Sequence, residues 1–395
     1  MRQVYLDSQA GTPLLPEARE AMRPFWAEEF ASASALHGQG VRARDAVQKA
    51  REQIAAFIHA ESPEEIIFTS DGTESCNLAV KGTAWARQRD GRHLVLSSTE
   101  HPAVANSVEF LEELGFAATR VKTNGEGFID PPEVRAALTG ETTLLAVHHV
   151  NHDIGTVQAV RELGQIAAER GVTFLADAEA SAGWLPIDVQ AWGVGLLSFS
   201  PHRFYGPKGV GVLYRNRRAR LQPILHGGDQ EFGRRAGVEN IPAIVGAGVA
   251  AEMAGRAMAE RAAHVFQLQQ RLWQGLQATP HVRLNGPPPG PGRAPANLNV
   301  SVKFIEGEGL ALLCDMNGIA IGAGTACVSK ALRVSPTLRA LGVDLAVAQG
   351  AVIFSLGKDN TVEEIDHVVA ILPKLIQQLR ALSPAWDEFQ KALKL

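Results

Sequence analysis

Residues 198–214 read SFSPHRFYGPKGVGVLY. The apolar run Leu196–Phe199 leads into this string and stops at Ser200-Pro201. A Gly-Pro-Lys-Gly turn follows, and Val210–Tyr214 begins a second apolar run. Proline and glycine interrupt extended chain and β-branched residues resume it, so the string reads as strand, turn, strand. Working outward, Ile66–Thr69, His93–Ser97, Leu144–His148 and Thr173–Ala176 are further short apolar runs. Longer helical patterns lie between them, at Asp45–Ile58, Pro102–Leu114 and Val160–Arg170. Strand–helix alternation predicts βαβ units and a mainly parallel sheet. In such sheets ligands sit beyond the carboxyl ends of the strands. Those ends carry Asp71–Thr73, Glu100–His101, Asn151–Asp153, Asp177–Ser181 and Ser200–Arg203.

A long helical pattern over 246–278 leads away from the sheet. The Pro/Gly-rich loop Gly286–Pro295 reads as a surface turn. A strand at Leu298–Phe304 and an amphipathic helix over Val362–Leu382 then predict a second, smaller α+β domain. The expected division is a large domain over 15–255, with 1–14 and 256–395 forming the small one.

Of the 395 residues, 46% are hydrophobic and 20% charged, which excludes a disordered or fibrous chain. The net charge of −4 leaves no basic footprint for nucleic acid or an anionic membrane. No uncharged apolar run reaches the roughly 18 residues of a membrane span. The N-terminal string MRQVYLDSQAG lacks an apolar signal core. Three cysteines, Cys76, Cys314 and Cys327, make neither a disulfide framework nor a C-x-x-C pair, and a reducing, cytoplasmic setting is expected.

Nine strings in order carry a resemblance. They are YLDSQAGTP, EEIIFTSDGTESCNLAVKG, SSTEHPAV, HVNHDIGTVQ, ADAEASAGWLPIDV, the string at 198–214, ILHGGDQEFGRRAGVEN, GIAIGAGTACVS and IFSLGK. Together they cover nearly the whole chain, which resembles the cysteine desulfurases of the class V aminotransferase group. The resemblance implies an α/β fold type I PLP-transferase-like architecture and a homodimer. It implies a pyridoxal-phosphate site in which Thr73, Ser200 and His202 cradle the phosphate. Asp177 would pair with the ring nitrogen, and His101 would stack on the ring and handle protons. Thr73 and Ser200 read equally well as helix caps, and His101 as a hydrogen-bonded histidine lining a cleft.

Departures fall on the chemical positions. Where the family has Ser-x-His-Lys, with the lysine forming the Schiff base, this chain has Ser200, Pro201, His202 and Arg203. An imine needs a neutral amine, which a guanidinium does not offer. The family's ring-side glutamine is Ala180, and its Asn-Asn-Glu string is Asn151-His152-Asp153. Its interface threonine is Val238, its carboxylate-clamping arginine is Ile353, and the helping asparagine aligns with Ser32. Asp177 is therefore expected to pair with Arg203. The expected cofactor state is none covalently bound, no internal aldimine, and at most weak non-covalent pyridoxal phosphate.

Cys327, in GAGTACVS, matches the family's sulfur-accepting cysteine. Small neighbours suit an exposed loop, where a thiolate could carry a persulfide. Cys76 and Cys314 read as buried packing residues. His148, His149, His152 and Asp153 form a metal-like cluster, yet strand alternation turns His148 and His149 to opposite faces, so no metal is expected. The expected function is a desulfurase-like protein without the usual Schiff-base catalysis. It would transfer sulfur through Cys327 to an acceptor or Fe-S scaffold protein. The alternatives are an enzyme binding pyridoxal phosphate or another anion non-covalently in the same pocket, and a scaffold pairing with an active paralogue.

Overall fold

The computed structural model describes residues 3–324 and 334–393. Among the described residues, twelve strands make two sheets. In chain order they are β1 (Val4–Leu6), β2 (Ile66–Thr69), β3 (His93–Ser97), β4 (Ala117–Val121), β5 (Thr142–His148) and β6 (Thr173–Asp177). Next come β7 (Leu196–Phe199), β8 (Gly211–Arg215), β9 (Val282–Leu284), β10 (Asn297–Val302), β11 (Ile319–Ala323) and β12 (Ala351–Ser355). Seven strands form the larger sheet, in the order β2-β8-β7-β6-β5-β3-β4. Its members from β7 through β4 are parallel, while β8 runs antiparallel to both β7 and β2. The other five form a sheet ordered β1-β11-β12-β10-β9, so the N-terminal strand joins the C-terminal part of the chain.

Strands β3, β5 and β7 inside the larger sheet, and β2 at its far edge, are buried at every residue. That burial on both faces explains their unbroken apolar runs. Each fully buried Leu, Val or Phe contributes on the order of 2 kcal/mol from water exclusion. Edge strand β4 is different. Only Val121 of Ala117–Val121 is buried, and Thr119 and Arg120 interrupt its pattern, so the sequence did not mark it. The second run of the opening string also shifts, to Gly211–Arg215.

The Gly286–Pro295 loop is more than the surface turn expected. Arg293 is buried, with Nε donating to the Pro287 carbonyl (2.5 Å) and Nη1 to Asn297 Oδ1 (3.2 Å). Burial lowers its pKa to about 9.

One helix, Ile241–Leu276, runs 36 residues without a break. It packs against helix Gly38–Phe57 beside the large sheet and helix Val362–Arg380 beside the small one. At Gly248 a side chain would come within 2.7 Å of Ala50 Cα, so glycine permits that close approach.

Because β2, β6 and β7 point the same way, their carboxyl ends lie side by side. Asp177 closes β6 in register with His148 of β5 and Ser198 of β7. Helix Gly72–Arg87 begins just past β2, capped by Asp71, whose Oδ1 accepts from the Glu74 N–H at 2.8 Å. Helix Pro102–Glu113 begins past β3 with His101 as its N-cap.

Candidate functional site

These strand ends enclose a cleft of about 280 Å³. Glu100, His101, His152, Asp153 and Arg203 line one side, and Ile321–Gly324, Pro336, Thr337 and Ile353 the other. The structure thus brings His101 and Arg203 together with the apolar Ile353. Gly324 and Pro336 flank the segment that carries Cys327. Cys327 itself lies outside the described residues, as do its expected roles.

His101 Nδ1 accepts from the Ala103 N–H at 3.1 Å. The neutral ring therefore carries its proton on Nε2. Burial, then the neighbouring His152 and Arg203 charges, lower its pKa to about 2, so it stays neutral at physiological pH. The His101 and His152 rings meet edge to face, 5.0 Å apart. His202 is lowered to about 4, by burial first and then by Arg203 and Lys208.

Asp177 is buried, and its Oδ1 accepts from the Glu179 N–H at 2.9 Å. Desolvation raises its pKa. The expected Asp177–Arg203 pair is not what forms. Arg203 pairs with Glu179 instead, Nε to Oε2 at 3.2 Å. The reason is reach: two residues past Asp177, the Glu179 side chain enters the space between the ends of β2, β6 and β7. There Ser200 Oγ donates to Glu179 Oε1 at 3.1 Å, and Ser198 Oγ lies 3.4 Å from the same oxygen. The Gly72 N–H in turn donates to Ser200 Oγ at 2.8 Å. Burial pushes the Glu179 carboxyl up to about 7, with Arg203 opposing and Asp177 adding to the rise.

Sequence reasoning held Glu179 only within the Asp177–Ser181 strand end and gave it no role. Its signal was a charged residue among small ones in ADAEASAG, facing a glycine in SDGTES. It placed Glu100 at a strand end without giving it a role; Glu100 Oε1 accepts from the His148 N–H (2.9 Å) and pairs with His148 Nδ1 (2.7 Å). Ser200 does not cap its short helix. Thr73 is exposed on the first turn of Gly72–Arg87. Lys208 is exposed and does not line the cleft. His149 packs on Trp192, 4.5 Å between rings, away from the Glu100 contact of His148. Among the described residues no His, Cys, Asp or Glu group is arranged to hold a metal ion. Cys76 and Cys314 are buried, and burial raises both thiols.

The site can be tested for its fit to pyridoxal phosphate. Its donors suit an anionic group because they already hold one, the Glu179 carboxylate. Buried Asp177 suits a protonated ring nitrogen. His101, neutral with Nε2–H free of its capping bond, can donate to or stack on a ring. The residues fit the group, with Glu179 now standing in the anion position.

The family description Aminotransferase class-V matches residues 4–368. A cysteine desulfurase IscS of Dictyoglomus turgidum is 41% identical over 390 residues, 98% of both chains. One from an Anaeromyxobacter species is 42% identical, covering 99% of this chain and 97% of its own. A solved NifS-like protein superposes with a TM-score of 0.90 at 32% identity, over 96% of this chain and all of the other. The apo cysteine desulfurase of Thermococcus onnurineus gives 0.85 at 26% identity, covering 95% of each chain. These similarities overturn the expectation that no cofactor is held covalently and that pyridoxal phosphate binds only weakly. The likeness to a pyridoxal-phosphate family is end to end, and the anion donors and Asp177 are in place. Arg203 together with the departures at Ala180, His152, Asp153, Val238, Ile353 and Ser32 gave too little ground for an empty pocket.

Proposed function

The chain belongs to the aminotransferase class-V family, in its cysteine desulfurase group, and on that premise we propose that it binds pyridoxal phosphate and handles sulfur through Cys327. Asp177, Ser200, His202 and the amides at Gly72–Thr73 would hold the group, with His101 against its ring. Bound there, pyridoxal phosphate supplies an electron sink for bonds at an amino-acid α-carbon.

Arg203 is the observation that carries the finer reading. A guanidinium keeps its proton at neutral pH and is no nucleophile. Here it is further held at Glu179. Free cysteine is then a poor sulfur source, and sulfur reaches Cys327 by exchange. The Cys327 thiolate attacks the outer sulfur of a donor persulfide, and the donor leaves as thiolate. The same exchange, reversed in role, passes the sulfur to an acceptor such as an Fe-S scaffold protein. No net oxidation is needed.

The test loads the purified protein with pyridoxal phosphate, adds cysteine and measures sulfide. Little release is expected, with label from a donor persulfide found on Cys327 and absent from Cys327→Ser. Robust cysteine-dependent release sinks this reading.

We also propose a cytoplasmic homodimer. Trp26, Phe30 and Leu36 are exposed apolar residues in one stretch, and Phe232 and Val238 in another, which a second copy would cover. Light scattering that gives the mass of one chain would remove it. A division into 15–255 and 1–14 with 256–395 remains the proposed domain layout. No described helix is long and apolar enough to cross a membrane.

A further inference from the structure

We propose that Glu179 is an internal occupant of the anion cradle, a carboxylate of the chain itself that a phosphate-bearing ligand must displace. The inference rests on the pyridoxal-phosphate reading above. Three features of the packing carry it.

Glu179 Oε1 takes the hydroxyl of Ser200, which is itself held by the Gly72 N–H at the start of helix Gly72–Arg87. Donors of that kind at a helix start suit an anion. Position 72 has no side chain where the carboxylate lies, and a Cβ there would overlap Glu179 Oε1. The glycine and the glutamate fit each other although they are 107 residues apart. Arg203 then takes the other oxygen, at 3.2 Å. The cradle is thereby occupied from within, one carboxylate oxygen on its hydroxyl donors and the other ion-paired with a guanidinium whose Nε makes no hydrogen bond.

Two anions cannot share these donors without repulsion. A phosphate arriving at Ser200 and the Gly72 amide therefore drives Glu179 outward or protonates it. Arg203 is left free to turn to the newcomer. Glu179 thus sets how tightly the site holds phosphate without touching the rest of the ligand.

Calorimetric titration of the full chain with pyridoxal phosphate, with pyridoxal and with inorganic phosphate tests this. The proteins are the natural chain, Glu179→Gln, which keeps the volume and removes the charge, and Glu179→Ala, which empties the position. Either variant is expected to tighten both phosphate-bearing ligands by about tenfold or more. Pyridoxal, which lacks the phosphate, should change by less than about twofold. Equal pyridoxal-phosphate affinity in all three proteins overturns the inference and leaves the cofactor reading standing. So does an equal gain for pyridoxal. No binding of either phosphate-bearing ligand by any of the three overturns both.

Discussion

Arg51–Glu231 is a buried Arg–Glu pair and Arg203–Glu179 a partly buried one, and they are wired differently. Arg51, on helix Gly38–Phe57, meets Glu231 through two hydrogen bonds, Nη1 to Oε2 at 2.9 Å and Nη2 to Oε1 at 2.7 Å. Glu231 Oε2 also accepts from the Phe68 N–H of β2, and Arg51 Nη1 donates to the Ile66 carbonyl. Arg203 and Glu179 share a single contact, and both are more exposed, at 18% and 9% against 6% and 3%. The first pair also pins a local backbone that resists its own conformation, since Glu231 and Phe232 have φ of 49° and 59°. The second pair lies at the wall of the cleft, which Arg203 lines, and pins nothing comparable. Identical chemistry thus serves as a rivet in one place and as a removable plug in the other.

Breaking the rivet should have the largest effect. Glu231→Ala leaves Arg51 buried without its partner and should cost about 3–5 kcal/mol of stability. Denaturant titration measures it, and a loss below about 1 kcal/mol would erase the contrast between the pairs.

The pH response of the plug comes next. The Glu179 carboxyl is raised from its ordinary 4.5 to about 7. Folding therefore favours its protonated form. That stabilisation is complete below about pH 4.5 and is lost as pH rises through about 7. Glu179→Gln should remove a fall on the order of 2 kcal/mol between those limits. Asp177, raised in the same sense, leaves a residual slope. Unfolding curves for both proteins across pH 4.5–8 check this, and parallel profiles would contradict it.

Smallest of all should be Arg203→Met. Glu179 can take up a proton near neutrality, so it need not remain an uncompensated buried charge. At pH 6 the loss should stay within about 1 kcal/mol. A loss matching that of Glu231→Ala would make the two pairs equivalent.

The large sheet was legible because its strands are buried on both faces and end at marked residues. Leu196–Phe199 is bounded by Ser200-Pro201 and was read to the residue. Ala117–Val121 escaped because an edge strand with exposed polar positions has no apolar run to show. The helix expected over 246–278 runs instead over Ile241–Leu276, since Asn240 and Pro242 set its start. In the site, Asp177, His101 and Ser200 were found through family strings, as residues that local spacing places at strand ends. The partner of Arg203 was not found. Arg203 and Glu179 are 24 positions apart, and Glu179 and Gly72 meet across 107. No periodicity records a contact of that range, and only the folded strand ends bring the three together.

Helix Ile241–Leu276 has a mechanical consequence. At 1.5 Å per residue it is a beam of roughly 54 Å, clamped at one end to the large sheet's helix layer and at the other to the small sheet's. With no proline kink past its first turn and no break in its ladder, it cannot act as a hinge. Opening of the cleft must come from sliding of side chains along the beam or from its rim, and strain raised at either sheet is delivered whole to the other.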